Sequence, residues 1–230
     1  MEMNFVAENL QKIREKLKGK NIRLIAVSKG QPVKKISEAL HAGQTDFGEN
    51  YVQELLEHVV SVEASPDGPP LQIHWHFIGH LQKNKVRLII DKVDLIHSLD
   101  SYKLAIEIDK RAKVISKIQP VLIEVNLGGE ETKSGIAVEE VAPLIEKIQN
   151  LLSIDLQGFM SIPPYRANPE DVRPYFKRLR EIRDEINKKK LYKHPLTQLS
   201  MGMSHDFQVA LEEGATLVRI GTGIFGERQT

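Results

Sequence analysis

Residues 22–32 read Ile22-Arg-Leu-Ile-Ala-Val-Ser-Lys-Gly-Gln-Pro32. After Arg23 four apolar residues follow one another without alternation, and Gly30-Gln-Pro32 stops the run. A strand covered on both faces reads this way, whereas a strand with one wet face alternates. The same near-continuous pattern recurs at 120–126 (PVLIEVN) and 216–220 (TLVRI), and shorter β-rich runs lie at 45–48, 73–79, 94–98, 154–162 and 196–201. Between them the apolar residues fall at helical spacing. Examples are Val33, Ile36 and Leu40; Val86, Ile89, Ile90 and Val93; Leu104, Ile108, Ala112 and Ile115; and Val138, Val141, Ala142 and Ile145. A long charged stretch at 174–190 and a short helical segment at 207–213 complete the set, and a further helix over about 4–18 precedes the first strand.

Strands that alternate with helices form a parallel sheet. Eight units of roughly 29 residues fit a closed barrel better than a doubly wound sheet, which usually has about six strands. The fold class expected is therefore α/β, a single (β/α)8 TIM barrel with an extra N-terminal helix, residues 1–230 forming one domain. Two stretches rich in Pro, Gly and small polar residues, 61–72 (SVEASPDGPPLQ) and 163–170 (PPYRANPE), read as surface excursions and not as domain boundaries.

Composition narrows the function classes. Lys and Arg number 32 against 31 Asp and Glu, so the chain lacks the basic surplus that phosphate-driven nucleic-acid binding needs. Cysteine is absent, which removes disulfides, thiolate metal sites and cysteine nucleophiles, and fits a reducing compartment. No apolar run approaches the ~20 residues of a membrane span. The first twenty residues carry Glu2 and Glu8 and no apolar core of a signal peptide. A cytoplasmic, monomeric protein bound to neither nucleic acid nor membrane is expected.

Barrel enzymes collect their chemistry at the C-terminal ends of the strands. Those positions are Lys29; Glu49 and Asn50; Gly79 and His80; Asn126; Met160 and Ser161; Ser200 to Ser204; and Arg219 to Gly223. Lys29 follows an apolar run, and burial of its stem would depress the ammonium pKa and make the amine competent for Schiff-base chemistry. A lysine that snorkels its charge over the rim is the plainer alternative. The last two loops weigh against it. Ser204 suits a helix N-cap after Ser200-Met-Gly202-Met-Ser204, and the glycines of Arg219-Ile-Gly221-Thr-Gly-Ile-Phe-Gly226 allow close approach to an anion, with Thr222 adding a hydroxyl. Barrels often bind phosphate with the loops after strands seven and eight. A phosphorylated carbonyl compound follows, either the substrate of a Schiff-base aldolase or pyridoxal 5′-phosphate (PLP). Arg219, two residues before the glycine, would point inward and suits a pyridine nitrogen, to which it can only donate. An Arg that binds a phosphate or carboxylate directly is the competing role.

At these residues the chain resembles the PLP homeostasis proteins, the YggS/PROSC family, whose fold is that of the alanine racemase N-terminal domain. The segments that carry the resemblance are Ala26-Val-Ser-Lys-Gly-Gln-Pro32, Phe47-Gly-Glu-Asn-Tyr-Val-Gln-Glu54 and Trp75-His-Phe-Ile-Gly-His-Leu-Gln-Lys-Asn-Lys85, then Val125-Asn126, Lys133-Ser-Gly135 and Gly158-Phe-Met-Ser161, and finally Leu199-Ser-Met-Gly-Met-Ser204 and Val218-Arg-Ile-Gly-Thr-Gly-Ile-Phe-Gly226. They span the chain in order. The resemblance implies PLP held as a Schiff base on Lys29, phosphate contacts from the loop of Ser200, Gly202 and Ser204 and from Gly221 and Thr222, Arg219 near the pyridine nitrogen, and Asn50 and Met160 lining the ring pocket. Gly30-Gln31 stands where many members have Thr-Lys or Thr-Arg, and His80 where some have Pro, departures that bear on pocket access.

The function implied is intracellular vitamin B6 homeostasis, with PLP passed to apo-enzymes, in a protein that is not an enzyme. The alternative is a weak PLP-dependent racemase-like activity. Racemisation needs a second base, usually from another domain or subunit, and the length leaves little room for that domain. Tyr51 and His76 are conceivable bases, although an inward histidine in a barrel is more often a hydrogen-bonded core residue. His74, His76 and His80 resemble a metal cluster only superficially, since no carboxylate or cysteine adjoins them in the sequence, and no metal is expected. The basic runs at 83–87 and 188–190 read as solvated helix faces, and Lys133 as a loop cation or a functional residue.

Overall fold

The computed structural model describes residues 5–63, 72–129 and 134–227. Lys133 and the middle of the 61–72 stretch lie outside the described residues. Eight strands form a closed, all-parallel barrel in sequence order: β1 (Arg23–Val27), β2 (Asp46–Glu49), β3 (His74–Phe77), β4 (Leu95–Leu99), β5 (Gln119–Glu124), β6 (Ile154–Met160), β7 (Gln198–Ser200) and β8 (Leu217–Ile220). The first strand closes on the last, with Ile25 opposite Arg219 and Ala26 opposite Ile220. Every one of the eight runs expected from the sequence carries a strand.

Around the barrel lie α1 (Phe5–Leu17), α2 (Val33–His41), α3 (Val52–Glu63), α4 (Val86–Ile89), α5 (Tyr102–Val114), α6 (Val138–Ile148), α7 (Arg173–Lys188), α8 (Phe207–Glu212) and α9 (Thr222–Phe225). Their inner faces follow the 3.6-residue period: α1 buries Val6, Leu10, Ile13 and Leu17, and α7 buries Phe176, Leu179, Ile182 and Ile186 while its outer face stays charged. The main core fills the layer between strands and helices. A separate small cluster of Ile25, Leu95, Leu122, Met160 and Leu217 sits within the barrel.

Three expectations need correction. The stretch that begins at Ser61 is the last turn of α3 for its first three residues, because Leu55, Val59 and Val62 continue a buried stripe. The helical run at 86–93 shortens to one α turn preceded by a 3-10 turn over Lys83–Lys85, and Ile90 and Val93 pack from the following turn. Ser204 is not the N-cap of the eighth helix. Asp206 occupies that position, its carboxylate accepting the Met203 N–H at 2.6 Å, and α8 starts at Phe207. The 163–170 excursion is largely exposed and ends in a 3-10 turn capped by Asn168.

Candidate functional site

The C-terminal mouth of the barrel gathers the residues singled out above. Lys29 is half-buried two residues beyond the end of β1. Its neighbours on both sides are tied down. The Ser28 hydroxyl donates to Glu49 at 2.5 Å, and the Gly30 N–H donates to Glu54 at 3.0 Å. Glu49, fully buried at the end of β2, also meets His58 of α3 at 2.8 Å through the same oxygen. Burial alone would lower the His58 pKa, but the hydrogen bond and charge of Glu49 outweigh it and raise the pKa above its ordinary value. His58 escaped the sequence reading because nothing along the chain links it to Glu49; only the fold of α3 over β2 does.

Asn50 follows β2, and the backbone of Gly79 lies against it. A Cβ at Gly79 would stand 2.1 Å from the Asn50 carbonyl oxygen, so only glycine fits there. The Asn50 side-chain oxygen is buried and finds no partner in the protein. Met160 ends β6 with no exposure and belongs to the inner apolar cluster, which forms the floor of the mouth.

The two glycine-bearing loops after β7 and β8 are cross-linked. Ser204 Oγ accepts the Gly223 N–H at 3.1 Å, and the Gly202 carbonyl accepts the Arg219 N–H at 3.0 Å. Gly202 adopts φ +91°, and a Cβ there would meet Ala210 at 2.6 Å. Gly221 and Thr222 open α9, where the first N–H groups have no acceptor within the helix. The structure thus sets Ser204, Gly221 and Thr222 side by side. Ser200 differs: its hydroxyl is buried inside the barrel beneath the loop, bonded to Arg219 and His97, and is not presented to the loop surface.

Arg219 is 3% exposed and points inward from β8. Its guanidinium donates to Ser200 Oγ at 2.6 Å and to the Ser161 carbonyl at 3.0 Å, and burial pulls its pKa down to about 10. Glu124, at the end of β5, is a second charge the sequence reading passed over. Burial pushes its pKa up to about 7, with Arg219 opposing and Asp100 adding to the rise, and one carboxylate oxygen has no partner.

Each of the three histidines near β3 has its own carboxylate: His74 with Asp94, His76 with Asp46 and His80 with Asp100. Those carboxylates are close in space though not adjacent in sequence. Among the described residues no group of three or more His, Cys, Asp or Glu side chains is placed to hold a metal ion. His76 is buried in the barrel interior, while Tyr51 is exposed at the rim.

Comparison with known proteins identifies the family and the fold. Residues 2–229 match the family profile described as "Alanine racemase, N-terminal domain". A curated protein of Aquifex aeolicus named pyridoxal phosphate homeostasis protein is 51% identical over 226 residues, covering 97% of this chain and 96% of that protein. This chain belongs to the pyridoxal phosphate homeostasis family. The member from Escherichia coli is 37% identical over 237 residues, covering 98% of both chains. Within the same fold, the structure of PipY from Synechococcus elongatus with PLP bound superimposes with a TM-score of 0.86 at 34% identity, covering 96% of this chain and 100% of that one. An alanine racemase of Clostridium difficile shares the fold alone, with a TM-score of 0.76 at 17% identity, and the match covers 58% of it. Homeostasis-family membership and the barrel agree with the architecture expected from the eight runs. No helix among the described residues is long and apolar enough to cross a membrane.

Proposed function

We propose that this chain binds PLP at the C-terminal mouth of its barrel, holds it as a Schiff base on Lys29, and serves vitamin B6 homeostasis in the cytoplasm by keeping and releasing the cofactor to apo-enzymes. The residues present fit the group. The observation that carries the reading is the convergence, at one mouth, of a half-buried Lys29, a buried donor-only Arg219 and two cross-linked glycine loops. The unpartnered buried oxygen of Asn50 adds an acceptor at the same rim.

PLP, when bound, supplies an electrophilic aldehyde and an electron-withdrawing ring. The protein does the rest. Ser28 and Gly30 fix the backbone around Lys29, so the amine emerges from an anchored segment. Gly221, Thr222 and Ser204 offer N–H and hydroxyl donors to a phosphate. Met160 and the inner cluster exclude water from below. Arg219 can only donate, so a ring nitrogen facing it would stay without a proton and the ring would be a weaker electron sink. That property favours a holder of PLP over a racemase. The weak racemase-like activity remains the second reading, supported by the fold it shares with alanine racemase.

Purified protein incubated with PLP should develop the visible band of a protein-bound Schiff base. Borohydride should then fix one cofactor on the peptide that contains Lys29. A protein that gains no band refutes the proposal. A band that persists in Lys29→Ala refutes the assignment to that lysine. Incubation with single amino acids followed by chiral assay should show turnover far below that of a true racemase; comparable turnover would favour the second reading.

A further inference from the structure

A continuous line of polar contacts crosses the barrel from one mouth to the other, which is unusual where layers of Val, Ile and Leu ordinarily pack. At the C-terminal side Arg219 Nη1 contacts Ser200 Oγ at 2.6 Å, and Ser200 Oγ contacts His97 Nδ1 at 2.8 Å. His97 Nε2 lies 3.0 Å from His76 Nδ1, and His76 Nε2 lies 3.1 Å from Asp46 Oδ1 at the start of β2. Asp46 sits at the N-terminal mouth, where Arg23 approaches it at 3.6 Å. Ser200, His97 and His76 have no solvent exposure.

The chemistry of the two ends decides every proton between them. Arginine only donates, and an ionised carboxylate only accepts. With both rings neutral, His76 must carry its proton on Nε2 to satisfy Asp46, so its Nδ1 accepts. His97 must then donate from Nε2 and accept at Nδ1 from the Ser200 hydroxyl, which in turn accepts from Arg219. All bonds run one way, and no neutral alternative satisfies them. The reverse arrangement needs a doubly protonated His76 in the barrel interior. Burial, foremost, holds the pKa of both rings below the ordinary histidine value, and His97 well below it, with the Arg219 and Arg23 charges adding at His97.

We propose that Ser200, His97, His76 and Asp46 are positioning residues for Arg219: a one-way hydrogen-bond chain, anchored by a carboxylate at the opposite mouth, that sets the orientation of the guanidinium toward the cofactor ring. The purpose assigned to the chain rests on the PLP reading above; the chain's proton arrangement stands apart from it. Ser200 therefore serves Arg219 and not the phosphate.

Side-chain 15N–1H correlation spectra of the cofactor-free protein test the arrangement directly. Both His97 and His76 should appear as neutral Nε2–H tautomers at neutral pH; an Nδ1–H tautomer or an imidazolium at either ring overturns the chain. The purpose is tested by PLP titration of Ser200→Ala and Asp46→Asn, followed by the position of the visible band. Ser200→Ala should lower PLP affinity about tenfold and Asp46→Asn a few-fold, each with a displaced band. Asp155→Asn, which alters a carboxylate–histidine pair on the outside of β6, should match the wild type. Wild-type affinity and band position in both chain variants would overturn the positioning role while leaving the cofactor reading intact. A wild type that takes up no PLP overturns the cofactor reading and the purpose together, and the tautomers still decide the chain.

Discussion

At the scale of single residues, the mouth of the barrel holds groups in ionisation states they would not choose in water. Glu124 is the clearest. Its folded pKa of about 7 lies above the ordinary carboxylate value, so folding favours its protonated form and ionisation above neutrality costs stability. Glu124→Gln should therefore stabilise the protein at pH 8 by on the order of 1–3 kcal/mol and by much less at pH 5, measured by urea unfolding at the two pH values. Equal effects at both would refute the buried-charge account. Gly79 makes the opposite point about space. Gly79→Ala must displace the Asn50 backbone, and thermal unfolding should show a loss of about 2 kcal/mol or more together with weaker PLP uptake.

At the scale of elements, α1 supports the loop it never enters. Its buried stripe is covered by α9 and α2, and Asn9 donates to the Ile224 carbonyl at 3.1 Å, while Lys35 of α2 reaches the Phe225 carbonyl at 2.6 Å. The C-terminal turn of α9 is thus held by the first two helices. Leu10→Ala, at a position with no exposure, should cost about 2–5 kcal/mol and loosen the Gly221–Thr222 segment, seen as faster amide exchange there than in β5. Unchanged exchange at α9 would show that α1 only adds bulk. Elements of this kind were readable in advance because their signals are local: the apolar runs of β1, β5 and β8, the stripe of α1, and the glycines after Ile220. The N-cap of α8 was misplaced by two residues because Asp206 reaches back to Met203, and a serine looked equally able to cap. The interior chain was invisible for a different reason. Asp46, His76, His97 and Ser200 come from four strands, and nothing along the sequence pairs any one of them with another.

At the scale of the whole molecule, the histidines set how the fold responds to pH. His76 and His97 have depressed folded pKa values, so their contribution is full above about pH 6.5 and declines as pH falls below it. His58, whose folded pKa is raised, contributes fully below about pH 6.5 and loses that contribution as pH rises through its folded value. Glu124 works against the acid loss, because its protonation favours the folded state. Stability should peak near pH 6.5, with an acid limb that steepens in Glu124→Gln by about 1.4 kcal/mol per pH unit and an alkaline limb that flattens in His58→Gln. Chemical unfolding across pH 5–8 checks all three, and a wild-type curve that rises from pH 6.5 to 5 would refute the neutral interior pair. Barrel closure also has a consequence in time. Lys29 is synthesised early, but its strand finds its second neighbour only when β8 arrives, and the loops beyond β7 and β8 come last of all. If Lys29 holds PLP as proposed, its pocket is complete only once β8 and the turn after it have been made, so uptake of the cofactor would follow synthesis of residues 217–225.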